Sequence, residues 1–218
     1  SRVNSSQLLS KTLANLDNKP DLFMLASAIG FYGNRGDEEL DESSSRGKQG
    51  YFLTDVCSEW ENSAAPAKEV GIRTISLRTG IVISAVGGAL GKMLLPAKMG
   101  AGGPIGNGKQ WMSWISMDDQ IYSMYHLMMS EGTSGEYNLT APNPVRQKQF
   151  AKTLGKVLRR PAFAPLPGFM MKIMFGEMGV RLTLDSQRVL PKNLQESGYE
   201  FVHNDLQSAL RDSLGKWR

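Results

Sequence analysis

The sequence is short of the residues that staple or metallate a fold. Its 218 residues include one cysteine, Cys57, and two histidines, His126 and His203. A single cysteine excludes an intrachain disulfide and suits a reducing compartment, so a cytoplasmic location is expected. The histidines fall on different elements without ligand spacing, so no metal is expected. No apolar run approaches the roughly 20 residues of a membrane span. The most apolar stretch, Phe169 to Phe175, is short and broken by Lys172. No Lys/Arg block and no zinc-finger spacing is present, which argues against nucleic acid. There is no Gly-x-Ser-x-Gly elbow either. A signal peptide and an initiator Met are both missing, and Ser1 opens directly into a helical pattern, as though the chain began within a domain.

What is present is an ordinary globular balance, 41% hydrophobic and 21% charged, enough for a sizeable core. The net charge of +4 is a mild excess that suits an anionic small molecule such as a phosphate-bearing nucleotide. Val3, Leu8, Leu9, Leu13 and Leu16 recur near a 3.6-residue period and predict a helix. Leu22 to Ala28 reads as a strand buried on both faces. A loop rich in glycine, acid and serine follows, from Gly30 to Gly50. Asp55 to Val70 reads as a helix, kinked or divided at Pro66. Arg73 to Ser84 reads as the next strand. This alternation predicts an α/β fold with a parallel sheet.

The pattern then changes. Gly87 to Gly108 is glycine-rich around a short helix, Leu90 to Met99, and Trp111 to Met117 looks extended. Asp118 or Asp119 is placed to cap a helix running through Met129. A strand is expected at Glu136 to Leu139 and a helix at Pro144 to Leu158. Pro161 to Pro167 reads as extended, and helical stretches follow near 168–179, 187–196 and 204–214.

Two glycine patterns imitate nucleotide-binding motifs. Gly30-x-x-Gly33-x-x-Gly36 follows a strand, but a dinucleotide fingerprint needs an amphipathic helix next. The residues after it are Asp37-Glu38-Glu39-Leu40-Asp41-Glu42, whose carboxylates would repel a pyrophosphate. Gly103-x4-Gly108-Lys109 resembles a P-loop, yet Gln110 stands where Ser or Thr should hold magnesium. Both are read as loops. Cys57, beside Val56 in a helix, is read as an inert core thiol, and Met170, Met171, Met174 and Met178 as packing.

Several segments together resemble a known family. They are Leu25-Ala26-Ser27-Ala28-Ile29-Gly30-Phe31-Tyr32-Gly33, Trp60-Glu61, Leu77-Arg78-Thr79-Gly80-Ile81-Val82 and the run from Gly102 to Trp111. Trp114-Ile115, Asp118-Asp119, the run from Tyr137 to Pro144 and Val189-Leu190-Pro191 complete the set. The combination is similar to the atypical extended short-chain dehydrogenases/reductases known as epimerase-family proteins, of the NAD-dependent epimerase/dehydratase kind. Some of these carry the label of cell-division inhibitor.

That resemblance implies a Rossmann-type parallel sheet, incomplete at its amino end, with a smaller substrate-side α+β lobe. Residues 1–145 would form the core, with a lobe insertion at about 86–117, and residues 146–218 a carboxyl-terminal substrate-side module. The family's strand–glycine–helix unit would lie upstream of Ser1. NADP or NAD is the implied cofactor, with Ala26, Arg78, Gly80 and Ile81 near it. A nucleotide or sugar-nucleotide is the implied substrate, with Gln110, Trp111, Trp114, Asn138 and Arg188 as its contacts. The sheet edge left open would favour a homo-oligomer.

The chain departs from the family at its catalytic pair. Counting back from Glu61, the usual Tyr-x-x-x-Lys positions hold Leu53 and Cys57, neither of which can replace them. The catalytic Ser/Thr position falls on Ser27 or on Ala28, depending on a one-residue shift. Tyr32 is the nearby tyrosine able to stand in as acid. Two readings therefore stay open: an NAD(P)-linked epimerase- or reductase-like enzyme, and a non-catalytic nucleotide-sensing or partner-binding protein on the same scaffold.

Overall fold

The structure, a computed structural model, describes residues 1–162, 176 and 184–216. Most of the extended stretch expected at Pro161–Pro167 and of the helix expected near 168–179, with its methionines, lies outside the described residues. At the centre are three parallel strands. The middle strand, β3 (Arg73–Thr79), pairs on one side with β1 (Leu22–Ala28) and on the other with β7 (Gly135–Leu139). Helices α2 (Phe52–Asn62) and α3 (Ala65–Glu69) lie between β1 and β3 in the chain, and α1 (Arg2–Ala14), which precedes β1, packs on both. The fold is the parallel α/β arrangement that the alternation predicted, of the Rossmann type that the resemblance implied.

Local expectations fare unevenly. The stretch from 55 to 70 divides after Asn62, and Pro66 opens the second helix, where its missing N–H costs nothing. Helix α1 forms, but Ser6 and Ser10 are its buried residues while Leu8 and Leu9 stand in solvent. Strand β1 is not enclosed on both faces, since Ala26 is exposed and Phe23 and Met24 are half-buried. Its second edge has no partner among the described residues.

The stretch from 73 to 84 is two strands. β3 ends at Thr79, and β4 (Ile81–Ile83) belongs to a different sheet. Gly80 makes the transfer. Its N–H bonds to Leu139 in the first sheet, and the next N–H, of Ile81, bonds to Ser113. A Cβ on Gly80 would lie 2.7 Å from the Ser113 carbonyl oxygen and 2.8 Å from Thr140, so only glycine fits.

Beyond Gly80 lies the smaller lobe. β4 pairs with β6 (Trp114–Ser116), and β5 (Trp111–Met112) pairs antiparallel with β8 (Val145–Arg146). Helices α4 (Gly88–Lys98), α6 (Gln147–Leu158) and α8 (Leu206–Ser213) enclose one core with Ile83, Leu90, Leu94, Trp114, Phe150, Leu154 and Leu210. A second core, with Ile75, Leu77, Ile115, Leu127 and Leu139, lies against the parallel strands.

Three further corrections concern helix ends. Ser116, not Asp118 or Asp119, caps α5 (Met117–Met129), and its Oγ accepts from the Asp119 N–H. The buried Asp119 carboxylate instead accepts from Tyr199 and from the backbone of Val202 and His203. The helix expected from Pro144 starts at Gln147. The helix expected at 187–196 is a strand, β9 (Arg188–Val189), followed by a short helix, α7 (Lys192–Glu196). β9 pairs in parallel with β2 (Glu39–Leu40), inside the acidic loop after β1.

Candidate functional site

The carboxyl ends of β1, β3 and β7 meet at one place, where ligands bind in open α/β sheets. Ser27 on β1, Arg78 on β3 and Asn138 on β7 are there, all buried. Register explains the proximity, because Ser27 pairs with Arg78 and Arg78 with Asn138. Four of the expected site residues, these three and Tyr32, join one polar network.

Glu61 of α2 is its hub. One carboxylate oxygen accepts from Ser27 Oγ at 2.7 Å and from Arg78 Nε at 2.9 Å. The other accepts from Arg78 Nη2 at 2.8 Å. The bidentate pair is buried, with 5% of the Arg78 side chain and 9% of the Glu61 side chain exposed. Arg78 Nη1 then donates to the Tyr32 hydroxyl at 3.0 Å, and that hydroxyl donates to Asn138 Oδ1 at 2.8 Å. Phe31 lies under the Arg78 guanidinium at 3.6 Å, a cation–π contact. Burial would lower the Arg78 pKa, but the bonds and charges of Glu61 and Tyr32 hold it above its ordinary value.

The same burial acts on Tyr32. Desolvation pushes its phenol up to about 12, against the pull of Arg78. It is fully enclosed with Ile29, Leu40 and Val189. Glu42 closes the network: one oxygen accepts from the Asn138 N–H at 2.8 Å and the other from Asn193 N–H at 3.3 Å. Burial raises its pKa as well. Cys57 is buried, and desolvation first, then the Glu61 charge, push its thiol up.

The glycines at 30, 33 and 36 sit in a short 3₁₀ turn and the loop after it. A Cβ on Gly30 would touch Leu53 and Cys57, so this glycine packs against α2 and opens no helix. The residues expected near a cofactor are dispersed in their roles. Ala26 is exposed on β1, Arg78 is committed to Glu61 and Tyr32, and Gly80 and Ile81 hold the two sheets together. The glycine loop after β1 lacks the helix whose amino end a pyrophosphate needs.

The expected substrate contacts separate into three places. Asn138 is in the buried network. Trp114 is fully buried, its Nε1 donating to the Asn143 carbonyl, which leaves no face for a ligand. Gln110 is buried, donates to the Ile105 carbonyl and lines the groove beside Trp111. Trp111 and Arg188 lie together at the surface. The guanidiniums of Arg146 and Arg188 lie over the Trp111 ring, at 4.1 Å and 4.6 Å from its centroid. Its Nε1 donates to Asp37 at 3.2 Å, and Arg146 donates to the same carboxylate at 2.6 Å. The Arg146 guanidinium beside Asp37 holds that carboxyl below its usual value. An open groove of about 580 Å³ adjoins this cluster, lined by residues that include Asn34, Asp37, Lys109, Arg146, Lys148 and Ser186.

Glu61 and Arg146 were missed as site members. Glu61 had a readable signal, since it follows Thr54 and Cys57 at helical spacing on the buried face of α2. Arg146 had none, because its partner lies 109 residues away. His203 was set aside as a ligand, yet its Nε2 lies 3.7 Å from both Asp118 and Asp212. These three could gather around a cation.

The comparisons with known proteins agree with this fold. Residues 166–213 match a family model described as a domain of unknown function, DUF1731. The Bacillus subtilis epimerase family protein YfhF is 38% identical over 210 residues, covering 96% of this chain and 68% of that protein. The chloroplastic SDR39U1 homologue of Arabidopsis thaliana is 40% identical over 193 residues, 88% of this chain and 54% of the relative. The chain thus spans between about half and two thirds of the length of these curated relatives. Among solved structures, the human epimerase family protein SDR39U1 with NADPH superposes with a TM-score of 0.91 at 31% identity, over 99% of this chain and 72% of that one. With this identity and coverage, the chain belongs to the epimerase family, an atypical branch of the extended short-chain dehydrogenases/reductases.

Proposed function

We propose that this chain forms the substrate-side part of an NAD(P)-linked epimerase- or reductase-like enzyme acting on a sugar-nucleotide-like molecule. The observation that carries the reading is the Ser27–Glu61–Arg78–Tyr32–Asn138 network at the carboxyl ends of three parallel strands. Buried polar groups at this end of a sheet are where α/β proteins place ligand chemistry. The NADPH held by the human relative supports a nicotinamide cofactor. In this reading Ser27 faces the ligand and Tyr32 fixes Arg78 and Asn138 behind it.

The test uses a protein of the relatives' full length. Calorimetry should show saturable binding of NADPH or NADH. Incubation with a panel of UDP-sugars should then exchange deuterium from solvent or change nicotinamide absorbance. Absence of binding to either nucleotide sinks the proposal.

One observation favours a second reading, a nucleotide-sensing protein without turnover. Leu53 and Cys57 stand at the positions of the usual acid/base pair, and Tyr32 is fully buried with its proton held more tightly than usual. Cofactor binding with no exchange on any sugar-nucleotide would select it.

A further inference from the structure

Asp37, Glu39 and Asp41 lie at and on either side of the two-residue strand β2, Asp37 in the turn before it. All three are acidic, and each meets a base from the chain's second half. Asp37 lies 2.6 Å from Arg146, Glu39 2.7 Å from Arg188, and Asp41 3.5 Å from Lys192. Between them, Leu40 is fully buried against Ile29, Tyr32 and Val189, and its backbone pairs with Val189. The segment is a strap pinned at its middle and held at its ends by charge. On its amino side Gly36 has a φ of +62°, and its carbonyl accepts from Ser186 Oγ at 2.5 Å, which ties the turn to the second half of the chain.

The strap borders the groove described above. Lys109, Arg146 and Lys148 line that groove, and Asp37 is its one carboxylate among the described residues. The Arg146 and Arg188 guanidiniums both stack on the Trp111 ring.

We propose that the groove is a phosphate-binding site whose built-in counter-ion is Asp37, and that the diphosphate of a nucleotide ligand exchanges with the strap. The proposal rests on the reading of a phosphate-bearing substrate, and it locates where that phosphate docks. The Asp37–Arg146 pair is exposed, with 76% of the Asp37 side chain in solvent, so it is a weak anchor that an anion can displace. A phosphate offers several oxygens to a guanidinium fork, where Asp37 presents a single oxygen to Arg146. Two lysines on the groove wall add attraction that the strap does not use.

The test is calorimetric titration of the chain with inorganic pyrophosphate at low salt. The parent protein binds saturably. Asp37→Asn removes the competitor and tightens binding by about five-fold, while Arg146→Gln weakens it by at least about ten-fold. Lys148→Gln, at an exposed position, weakens binding by about three-fold and keeps the test decisive if Arg146→Gln fails to fold. Glu38→Gln, whose partner Arg35 does not line the groove, leaves affinity unchanged. Unaltered affinity in Asp37→Asn, or no saturable binding to the parent, overturns the proposal. Pyrophosphate binding as described, without nicotinamide-nucleotide binding in the longer protein, would overturn the enzyme reading alone. The reverse result would overturn only the strap.

Discussion

The molecule builds an arginine, a carboxylate and an aromatic ring into one cluster twice, and the two copies differ in depth. At the carboxyl end of the sheet, Arg78 lies on Phe31 and grips Glu61 with two bonds, almost wholly out of water. At the lobe surface, Arg146 lies on Trp111 and meets Asp37 with one bond, largely in water. Depth changes what the same groups do. A buried charge that loses its partner has no solvent to turn to, so the inner pair is fixed. An exposed pair trades its partner for water or for another anion at little cost, so the outer pair is exchangeable.

The contrast breaks most easily at its inner member. Glu61→Gln strands the Arg78 guanidinium and should destabilise the fold by about 3–5 kcal/mol, read from urea denaturation. A midpoint unchanged from the parent would mean that the network is solvated and the comparison false. A smaller effect should come from Glu42. Burial raises its pKa above the usual 4.5, so the folded state holds the proton more tightly than the unfolded one. Its contribution is fully present below the unfolded-state value and is lost as pH rises through the folded value. Melting temperature should therefore decline with pH across that window in the parent and decline less in Glu42→Gln. Parallel curves would remove Glu42 from the network. The smallest effect belongs to the outer member. Asp37→Asn should leave the melting temperature unchanged, and a clear drop would show that the strap carries stability.

How much of this could be read beforehand follows the range of each contact. Helix α6 was legible because Phe150, Leu154, Val157 and Leu158 make a stripe within one element. Strand β1 was legible because it is apolar along most of its own length. Arg188–Val189 was misread as helix, since what makes it extended is pairing with Glu39 and Leu40, far away in the chain. Ser27, Tyr32, Arg78 and Asn138 were each named, but nothing local joined them. Their union depends on strand register and on Glu61, a carboxylate arriving from a helix. The surface cluster was half-seen for the same reason: Trp111 and Arg188 were named, and the residues that complete them, Asp37 and Arg146, are distant.

Gly80 bears on how the groove can open. The chain crosses from one sheet to the other there within two residues, and both peptide N–H groups are spoken for on arrival. The space a side chain would fill is already taken by Ser113 and Thr140. Such a junction behaves as a weld and not as a joint, so the lobe cannot rock on the sheet at this point. Access to the groove is then a matter for the loops at its rim, and the rigid body beneath them serves as the anvil against which a ligand is held.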